Sequence, residues 1–220
     1  MGYNIAIDGP AGAGKSTIAK LAAKELSFIY VDTGAMYRAI ALGLLKTGTD
    51  TSDENAVKRQ LQDMSVSIKY VDGEQRVLLN GEDVSGLIRT EEVGNMASRT
   101  SAIPCVREKL LELQQTLAKE HDVVMDGRDI GTNILPNAEL KIYLTASVDT
   151  RAERRYKELC EKGQSCDLEA IRNDITKRDD QDMHRAIAPL CQAKDAVYLD
   201  SSHMTIEEVV DRIMELRKAR

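Results

Sequence analysis

A glycine-rich stretch near the start of the chain, Gly9-Pro-Ala-Gly-Ala-Gly-Lys-Ser16, contains the first residues that could do chemistry. Glycines at this spacing let consecutive backbone N–H groups converge on phosphate oxygens, and the N-terminus of a following helix adds positive potential. Lys15 can reach the β- and γ-phosphates of a nucleoside triphosphate, and the Ser16 hydroxyl can ligate Mg²⁺. A glycine-rich turn beside an unrelated lysine and serine is the alternative.

The full G-x-x-x-x-G-K-[ST] pattern lies between a predicted strand and a predicted helix, which is the context that a phosphate-binding loop requires. The sequence therefore predicts a nucleoside triphosphate site. Its predicted contacts are Gly9, Pro10, Ala11, Gly12, Ala13, Gly14, Lys15, Ser16 and Thr17.

Single arginines supply a second group of candidates. Arg38 follows the second predicted strand, Arg107 lies in the first turn of a predicted helix, and a third arginine lies within the turn Asp126-Gly-Arg-Asp129. Ligands of doubly wound sheets bind outside the carboxyl ends of the strands, so Thr33 and this turn fall where a ligand is expected. A solvated surface side chain is the alternative for each arginine.

Two further clusters of charged residues share helical faces through i+3 and i+4 spacing. Their members are Arg151, Arg154 and Arg155 in the first cluster and Arg178, Asp182 and Arg185 in the second. Ion pairing on a helix surface, worth only a few tenths of a kcal/mol, is one explanation. Cations on one face repel one another unless an anion lies among them, and phosphoryl transfer supplies such an anion.

Short apolar runs alternate with amphipathic helical patterns along the chain. The predicted strands are 3–8, 28–31, 123–125, 140–144 and 196–199, and the clearest predicted helices are 15–26, 36–45 and one that starts with a capping box at Thr205 and Glu208. This pattern predicts an α/β fold with a five-stranded parallel sheet of the P-loop NTPase type, flanked by helices and joined by right-handed crossovers.

One segment, 64–84, departs from this alternation. Residues 65–71 and 76–79 have strand patterns and are joined by Asp72-Gly73, which favours a tight hairpin turn. Asn80-Gly81 is a second turn signal. We expect a small antiparallel β insertion outside the main sheet.

The overall composition excludes several classes of function. The 220 residues carry 30 Lys and Arg against 36 Asp and Glu, for a net charge of −6, and such an acidic balance disfavours a nucleic-acid surface. No stretch approaches the roughly 18 uninterrupted apolar residues of a membrane span. The cysteines show no C-x-x-C pair, although Cys160 and Cys166 are close enough to allow a metal site as an alternative. We expect a cytoplasmic monomer that binds neither nucleic acid nor a membrane.

Several segments spread along nearly the whole chain match one set of motifs. They are Ile7–Thr17, Val31–Arg38, Gly81–Gly86, Asn95–Ser98, Pro104–Arg107, Asp126–Gly131, Arg178–Asp180, Ala188–Leu190, Ala193–Ala196 and Leu199–Ser202. In these segments the sequence resembles the bacterial cytidylate kinases. It departs from them at Thr33, where many relatives have serine, but the hydroxyl is kept.

The resemblance implies transfer of the γ-phosphoryl group of ATP to CMP or dCMP in pyrimidine metabolism, with Mg²⁺ as cofactor. Cytosine would be surrounded by Thr33, Ser98, Arg107 and Asp129, the acceptor phosphate would be held by Arg38 and Arg128, and the sugar would be bound by Arg178 and Asp182. Arg185 would also bind CMP. The catalytic set would be Lys15, Arg128, Asp129, Arg154, Arg178 and Arg185, with Arg154, Arg178 and Arg185 holding the transferred group.

The chemistry of the base agrees with this assignment. A carboxylate such as Asp129 can accept a hydrogen bond from the N4 amino group of cytosine, and an arginine such as Arg107 can donate to the ring acceptors. Uracil would present an oxygen to the carboxylate, and a polar site of this kind rejects such an analogue strongly.

The resemblance also implies how one kinase domain would be organised. We expect a core of 1–33, 121–150 and 167–220, a monophosphate-binding lobe of about 34–120 that contains the β insertion, and a short lid of about 151–166. The lid would close over both nucleotides and keep water from hydrolysing ATP.

Two other functions are alternatives to this one. One is another nucleoside monophosphate kinase, specific for UMP or AMP. The other is a non-catalytic nucleotide-binding regulator, against which the intact Lys15-Ser16 pair and the arginine set argue. A GTPase is disfavoured because N-K-x-D, the usual guanine-reading element, does not occur in the sequence.

Overall fold

The glycine-rich stretch lies between a strand and a helix, as the sequence predicts. The computed structural model describes residues 2–219. Its strands are β1 (Asn4–Asp8), β2 (Ile29–Asp32), β3 (Val66–Val71), β4 (Glu74–Leu79), β5 (Glu82–Asp83), β6 (Val123–Gly127), β7 (Leu140–Thr145) and β8 (Val197–Asp200). Its α-helices are α1 (Lys15–Leu26), α2 (Thr33–Lys46), α3 (Glu54–Gln62), α4 (Glu91–Thr100), α5 (Pro104–Glu120), α6 (Val148–Glu161), α7 (Leu168–His184) and α8 (Ile206–Lys218).

Five strands form the main sheet, in the order β2-β6-β1-β7-β8. Strand β1 lies at the centre and pairs in parallel with β6 on one side and β7 on the other, and β7 pairs in parallel with β8. The central strands carry consecutive buried apolar residues because both of their faces are covered. The predicted five-stranded P-loop type of α/β fold is confirmed.

The described chain divides into two compact units. Residues 31–121 form one, which we call the insert unit, and residues 2–30 and 122–219 form the other, which we call the sheet unit. In the sheet unit, apolar side chains of α1 and α8 pack with those of the central strands. This core includes Ile5, Ile7, Ile18, Ala22, Leu140, Ile142, Val209 and Ile213.

In the insert unit, β3 and β4 pair antiparallel and form the predicted hairpin. Its turn, Asp72-Gly73, has positive φ at both residues, 53° and 77°, which is the geometry that matches the twist of the two strands. The second turn signal, Asn80-Gly81, connects β4 to the short strand β5, which the sequence analysis did not predict. The result is a separate three-stranded antiparallel sheet.

Helix α2 begins earlier than predicted, at Thr33 rather than Met36. The physical reason is an N-cap: the Asp32 carboxylate accepts a hydrogen bond from the Ala35 N–H, 2.9 Å away, and so satisfies one amide that the first turn leaves unpaired. Thr33 is therefore the first helical residue and does not lie in a loop.

The predicted lid segment is largely helical. Residues 151–161 continue α6, and the connection to α7 follows them. Arg151 and Ala152 are buried at its start, whereas most residues from 153 to 166 are at least partly exposed. Within residues 2–219, no helix is both long and apolar enough to cross a membrane.

Candidate active site

The phosphate-binding loop connects β1 to α1 within the sheet unit. Gly9 approaches β7 so closely that a Cβ built there would lie 1.9 Å from the Leu144 carbonyl oxygen. Gly14 is the N-cap of α1 and has φ of 82°, a left-handed conformation that suits glycine. The Lys15 ammonium folds over this loop and donates to the Pro10 carbonyl oxygen at 2.8 Å.

Lys15 is buried in surroundings that disfavour its charge. Burial and, after it, the nearby Arg128 guanidinium lower the pKa of Lys15 to about 7, against the opposing effects of Asp126, Asp182 and Asp8. Two cations that repel one another beside a glycine-rich loop and a helix N-terminus favour the binding of an anion.

Two oxygen ligands suited to a divalent cation meet beside the loop. The Ser16 hydroxyl donates to Asp126 Oδ2 at 2.9 Å, and the Tyr30 hydroxyl donates to Asp126 Oδ1 at 3.1 Å. Hydroxyl and carboxylate oxygens are the ligands that Mg²⁺ prefers, so these residues fit the cofactor that the loop implies. Within residues 2–219 no cluster of three or more His, Cys, Asp and Glu side chains could hold a metal by itself. Asp126 was not among the predicted ligands, although its position at the end of β6 was a signal for it.

Asp8, at the end of β1, holds the turn that follows β6. Its two carboxylate oxygens accept hydrogen bonds from the backbone N–H groups of Ile130 and Gly131, both at 2.7 Å. Burial raises the pKa of Asp8 to about 6, since the loss of hydration outweighs these two bonds, and the nearby Asp129 raises it further. Sequence reasoning missed Asp8.

Two ion pairs connect the end of β6 with α7 and the residue after it, and both of their carboxylates, Asp182 and Asp129, are buried. Arg128 Nε contacts Asp182 at 2.8 Å, and Arg185 Nη2 contacts Asp129 at 3.1 Å. These four residues were predicted site residues, and the sheet unit brings them together. Each carboxylate fixes the direction of its arginine.

Arg178 lies on α7, one helical turn before Asp182. Its Nε atom is buried and has no hydrogen-bond partner within residues 2–219. Burial lowers the pKa of Arg178, and Arg128 lowers it further, which places these two guanidinium groups in one neighbourhood. The sheet unit thus brings three cations, Lys15, Arg128 and Arg178, into one neighbourhood.

The three arginines of α6 have different partners, although their spacing predicts one cationic face. Arg154 donates to the Ser201 carbonyl oxygen at 2.7 Å, and Arg155 forms an exposed ion pair with Glu158. Arg155 therefore fits the alternative of surface ion pairing.

Arg151 is the residue of this cluster that contacts the phosphate-binding loop. Its side chain is only 4% exposed, and it donates to the carbonyl oxygens of Ala11 at 2.8 Å and Ala146 at 2.9 Å. It also contacts the Asp179 carboxylate at 2.6 Å. Arg151 therefore stabilises the backbone of the loop through the Ala11 carbonyl oxygen. This role was not predicted.

The remaining predicted site residues lie in the insert unit. Arg38, on α2, donates to the carbonyl oxygens of Ile88 at 3.1 Å and Thr90 at 3.4 Å. Its guanidinium lies against Gly94 of α4, where a Cβ would approach Nη1 to 2.9 Å. Glycine at this position thus makes room for the Arg38 side chain.

Arg107 is buried at the start of α5. It donates to the Ser101 carbonyl oxygen at 3.2 Å and lies over the Tyr37 ring, with its central carbon 5.6 Å from the ring centroid. Thr33 is buried at the start of α2, and Ser98 is partly exposed on α4. The insert unit therefore fixes its candidate residues on helices, which hold side chains in defined positions.

Comparisons with known proteins show the family to which the chain belongs. The sequence profile of the cytidylate kinase family matches residues 5–219. A cytidylate kinase of Caldicellulosiruptor bescii is 53% identical over 213 residues, which cover 97% of this chain and 94% of the relative. One of Ligilactobacillus salivarius is 52% identical over 216 residues, covering 98% and 96%.

Among solved structures, an uncharacterized protein from Eubacterium ventriosum superposes with a TM-score of 0.53 at 12% identity, covering 100% of both chains. At this identity the likeness concerns the fold alone. The profile match and the two relatives extend over nearly all of the chain, the phosphate-binding loop and the arginine-bearing elements included. This chain therefore belongs to the cytidylate kinase family.

Proposed function

We propose that this protein transfers the γ-phosphoryl group of ATP to CMP and dCMP and forms the corresponding diphosphates. The observation that carries the proposal is the group of cations beside the phosphate-binding loop, Lys15, Arg128 and Arg178, in a chain that belongs to the cytidylate kinase family. Such a group is unfavourable alone and becomes favourable when phosphates lie among its members.

The triphosphate of ATP is held by the loop from Gly9 to Thr17. Its backbone N–H groups and the N-terminus of α1 contact phosphate oxygens, and Lys15 moves from the Pro10 carbonyl oxygen to the β- and γ-phosphates. Ser16 and Asp126 hold Mg²⁺, which when bound neutralises charge on the phosphates.

Four polar side chains recognise the base of the acceptor. Thr33, Ser98, Arg107 and Asp129 contact cytosine; among them, Asp129 accepts from the N4 amino group and Arg107 donates to the ring acceptors. The ion pair with Arg185 holds the Asp129 carboxylate in a fixed orientation for that bond. Since uracil lacks the amino donor, this set discriminates against UMP.

The other acceptor contacts involve the phosphate and the sugar. Arg38 and Arg128 hold the phosphate, for which the planar fork of a guanidinium is suited. Arg178 and Asp182 bind the sugar, and the contact between Asp182 and Arg128 couples the sugar site to the phosphate site.

Phosphoryl transfer needs positioning and charge stabilisation more than it needs a base, because an ionised phosphate is already a nucleophile. Lys15, Arg178 and Arg185 stabilise the charge on the transferred group, and Arg154 joins them after leaving the Ser201 carbonyl oxygen. Asp129 at most assists.

The lid is the exposed part of the predicted segment, residues 153–166. Its start lies after Ala152, because Arg151 and Ala152 are buried and Arg151 is fixed to the loop at Ala11. The insert unit acts as the monophosphate-binding lobe, and the sheet unit supplies the core. The protein works as a monomer in the cytoplasm.

The test is an assay of ADP release in which CMP, dCMP, UMP and AMP are each supplied with Mg²⁺ and ATP. We expect turnover with CMP and dCMP and at least a hundredfold lower kcat/KM with UMP and AMP, since unpaired buried polar groups penalise the analogues. Activity with UMP or AMP but not with CMP would assign another monophosphate kinase. An absence of turnover with every acceptor would favour a nucleotide-binding regulator.

A further inference from the structure

The end of α6 turns the chain back on itself in a specific way. The Gly163 N–H donates to the Cys160 carbonyl oxygen at 2.9 Å, and the Gln164 N–H donates to that of Leu159 at 3.0 Å. Gly163 has φ of 69°. These two bonds and the left-handed glycine form a Schellman motif, which ends the helix and sends the following residues back along it.

This reversal places Cys166 beside Cys160. Their Sγ atoms are 3.6 Å apart, and Cys166 Sγ lies 3.8 Å from the carbonyl oxygen of Tyr156 on α6. Cys160 is exposed and Cys166 is partly exposed, so both thiols are accessible to small molecules. The two sulfurs are in van der Waals contact, which is the approach from which a disulfide can form.

We propose that Cys160 and Cys166 form a reversible disulfide when the protein meets a hydroperoxide, and that this bond slows turnover by fastening the α6–α7 connection. The Cys160 thiolate attacks the peroxide O–O bond, which yields a sulfenic acid and releases an alcohol, or water from hydrogen peroxide. The Cys166 sulfur then displaces the sulfenic oxygen as water. Two thiols are oxidised by two electrons in total, and one peroxide is reduced.

The order of the two thiols follows from their surroundings. Partial burial raises the pKa of Cys166, and the contact with Cys160 raises it further, so little of Cys166 is present as the nucleophilic thiolate. Cys160 is the more exposed of the two. Cys160 therefore reacts with the peroxide, and Cys166 resolves the sulfenic acid.

The effect on turnover rests on the proposed function, in which residues 153–166 form the lid. A disulfide between Cys160 and Cys166 closes a short ring around Gly163 and removes the freedom of this turn. A lid that must open for product release then moves more slowly, which lowers kcat. The disulfide itself can form whether or not residues 153–166 act as a lid.

Trypsin provides a direct test, because it cleaves between the two cysteines at Lys162. The four cysteines fall in four different tryptic peptides, Thr100–Arg107, Glu158–Lys162, Gly163–Arg172 and Ala186–Lys194. The full chain is treated with hydrogen peroxide, its remaining thiols are blocked with iodoacetamide, and the denatured protein is digested. Mass spectrometry should find Glu158–Lys162 joined to Gly163–Arg172, and dithiothreitol should separate them.

Cys160→Ser and Cys191→Ser are matched variants, since both remove an exposed thiol. Cys191→Ser should keep the linked peptides, and Cys160→Ser should lose them. Linked peptides that pair Cys160 with Cys191, or Cys160 recovered only as sulfinic or sulfonic acid, would overturn the proposed disulfide.

Steady-state kinetics of the same samples test whether the disulfide slows turnover. Oxidised protein and oxidised Cys191→Ser should show kcat lowered about threefold or more, restored by dithiothreitol, while Cys160→Ser keeps its kcat through the same treatment. Linked peptides with unchanged kcat would overturn the regulatory effect. A reduced protein with no kinase activity would instead refute the proposed function, and the peptide result would stand separately.

Discussion

Gln75 pairs with the backbone of Asp32 through both ends of its side-chain amide. Its Oε1 accepts from the Asp32 N–H at 2.8 Å, and its Nε2 donates to the Asp32 carbonyl oxygen at 3.2 Å. The Asp32 carboxylate also contacts Arg89 Nη2 at 2.7 Å and caps α2. Strand β4 of the antiparallel sheet thereby fixes the start of the helix that carries Thr33 and Arg38.

Replacing Gln75 with alanine should weaken acceptor binding. Both hydrogen bonds to Asp32 are lost, each worth about 1 kcal/mol, so the KM for CMP should rise roughly tenfold. The KM for ATP should change less than twofold, because the phosphate-binding loop belongs to the sheet unit. Steady-state kinetics with each substrate varied in turn measures both values.

Arg76→Ala is the matched control for Gln75→Ala, since Arg76 is the next residue of β4 and forms an exposed ion pair with Glu74. It should leave both KM values unchanged. Equal increases in the KM for CMP and for ATP in Gln75→Ala would contradict the expected role of Gln75.

ATP binding should take up a proton at pH 8. In the ATP-free protein burial lowers the pKa of Lys15 to about 7, so most of the side chain is the neutral amine at pH 8. The triphosphate charge raises that pKa in the complex. The complex then holds more protons than its separate components, and affinity for ATP falls as pH rises above 7, by up to about tenfold per pH unit.

Calorimetry of Mg·ATP binding in Tris and in HEPES measures this uptake, because the two buffers release protons with different enthalpies. Lys15→Met should bind ATP more weakly and take up no proton from this source. Equal apparent binding enthalpies for the unaltered protein in both buffers at pH 8 would show that Lys15 is already charged before ATP binds.

Asp8 should make the protein less stable as pH rises from about 4 to about 6. Burial raises the pKa of Asp8 from 3.8 to about 6, so within this range the folded state holds a proton that the unfolded state has lost. The corresponding loss of unfolding free energy is about 3 kcal/mol at most. Urea unfolding at pH 4.5 and 6.5 measures it.

Asp8→Asn removes this titration and leaves one of the two N–H groups of Ile130 and Gly131 facing an amide donor. At pH 6.5 the unfolding free energy of the variant should be roughly 1 to 3 kcal/mol lower than that of the unaltered protein, because one of these N–H groups lacks an acceptor. Its stability should depend less on pH than that of the unaltered protein. Asp211→Asn, at an exposed position on α8, should keep the full dependence.

The predictable parts of this molecule are those that local sequence determines. The spacing of glycines from Gly9 to Gly14 and the Asp72-Gly73 turn dictate backbone conformations over a few residues, and both were predicted correctly. The start of α2 was misplaced because Met36 opens the apolar pattern, whereas Asp32 caps the helix four residues earlier.

Side-chain partners far apart in the chain could not be predicted from one sequence. Asp8 contacts the N–H of Ile130, 122 residues away, and Arg151 contacts the carbonyl oxygen of Ala11, 140 residues away. Neither contact corresponds to a recognisable spacing of residues along the sequence. Arg151 and Arg154 are similar in sequence context, and only packing determines that Arg151 faces the loop.

The contacts of Arg151 lead to a prediction that separates stability from substrate binding. Arg151→Met should lower the unfolding free energy by about 3 to 5 kcal/mol, because the buried Asp179 carboxylate loses its partner. The KM for ATP should also rise about tenfold, since the bond to the Ala11 carbonyl oxygen is lost and the loop is less well ordered. Urea unfolding and steady-state kinetics measure the two effects.

The double variant Arg151→Met/Asp179→Leu separates the contribution of Arg151 to stability from its contribution to ATP binding. Removing both charges eliminates the unpaired carboxylate, so most of the lost stability should return. The Ala11 carbonyl oxygen still lacks its donor, so the KM for ATP should stay raised while that for CMP remains near its original value. If the double variant regained both stability and ATP affinity, Arg151 would serve the fold only, and the phosphate-binding loop would hold its shape without it.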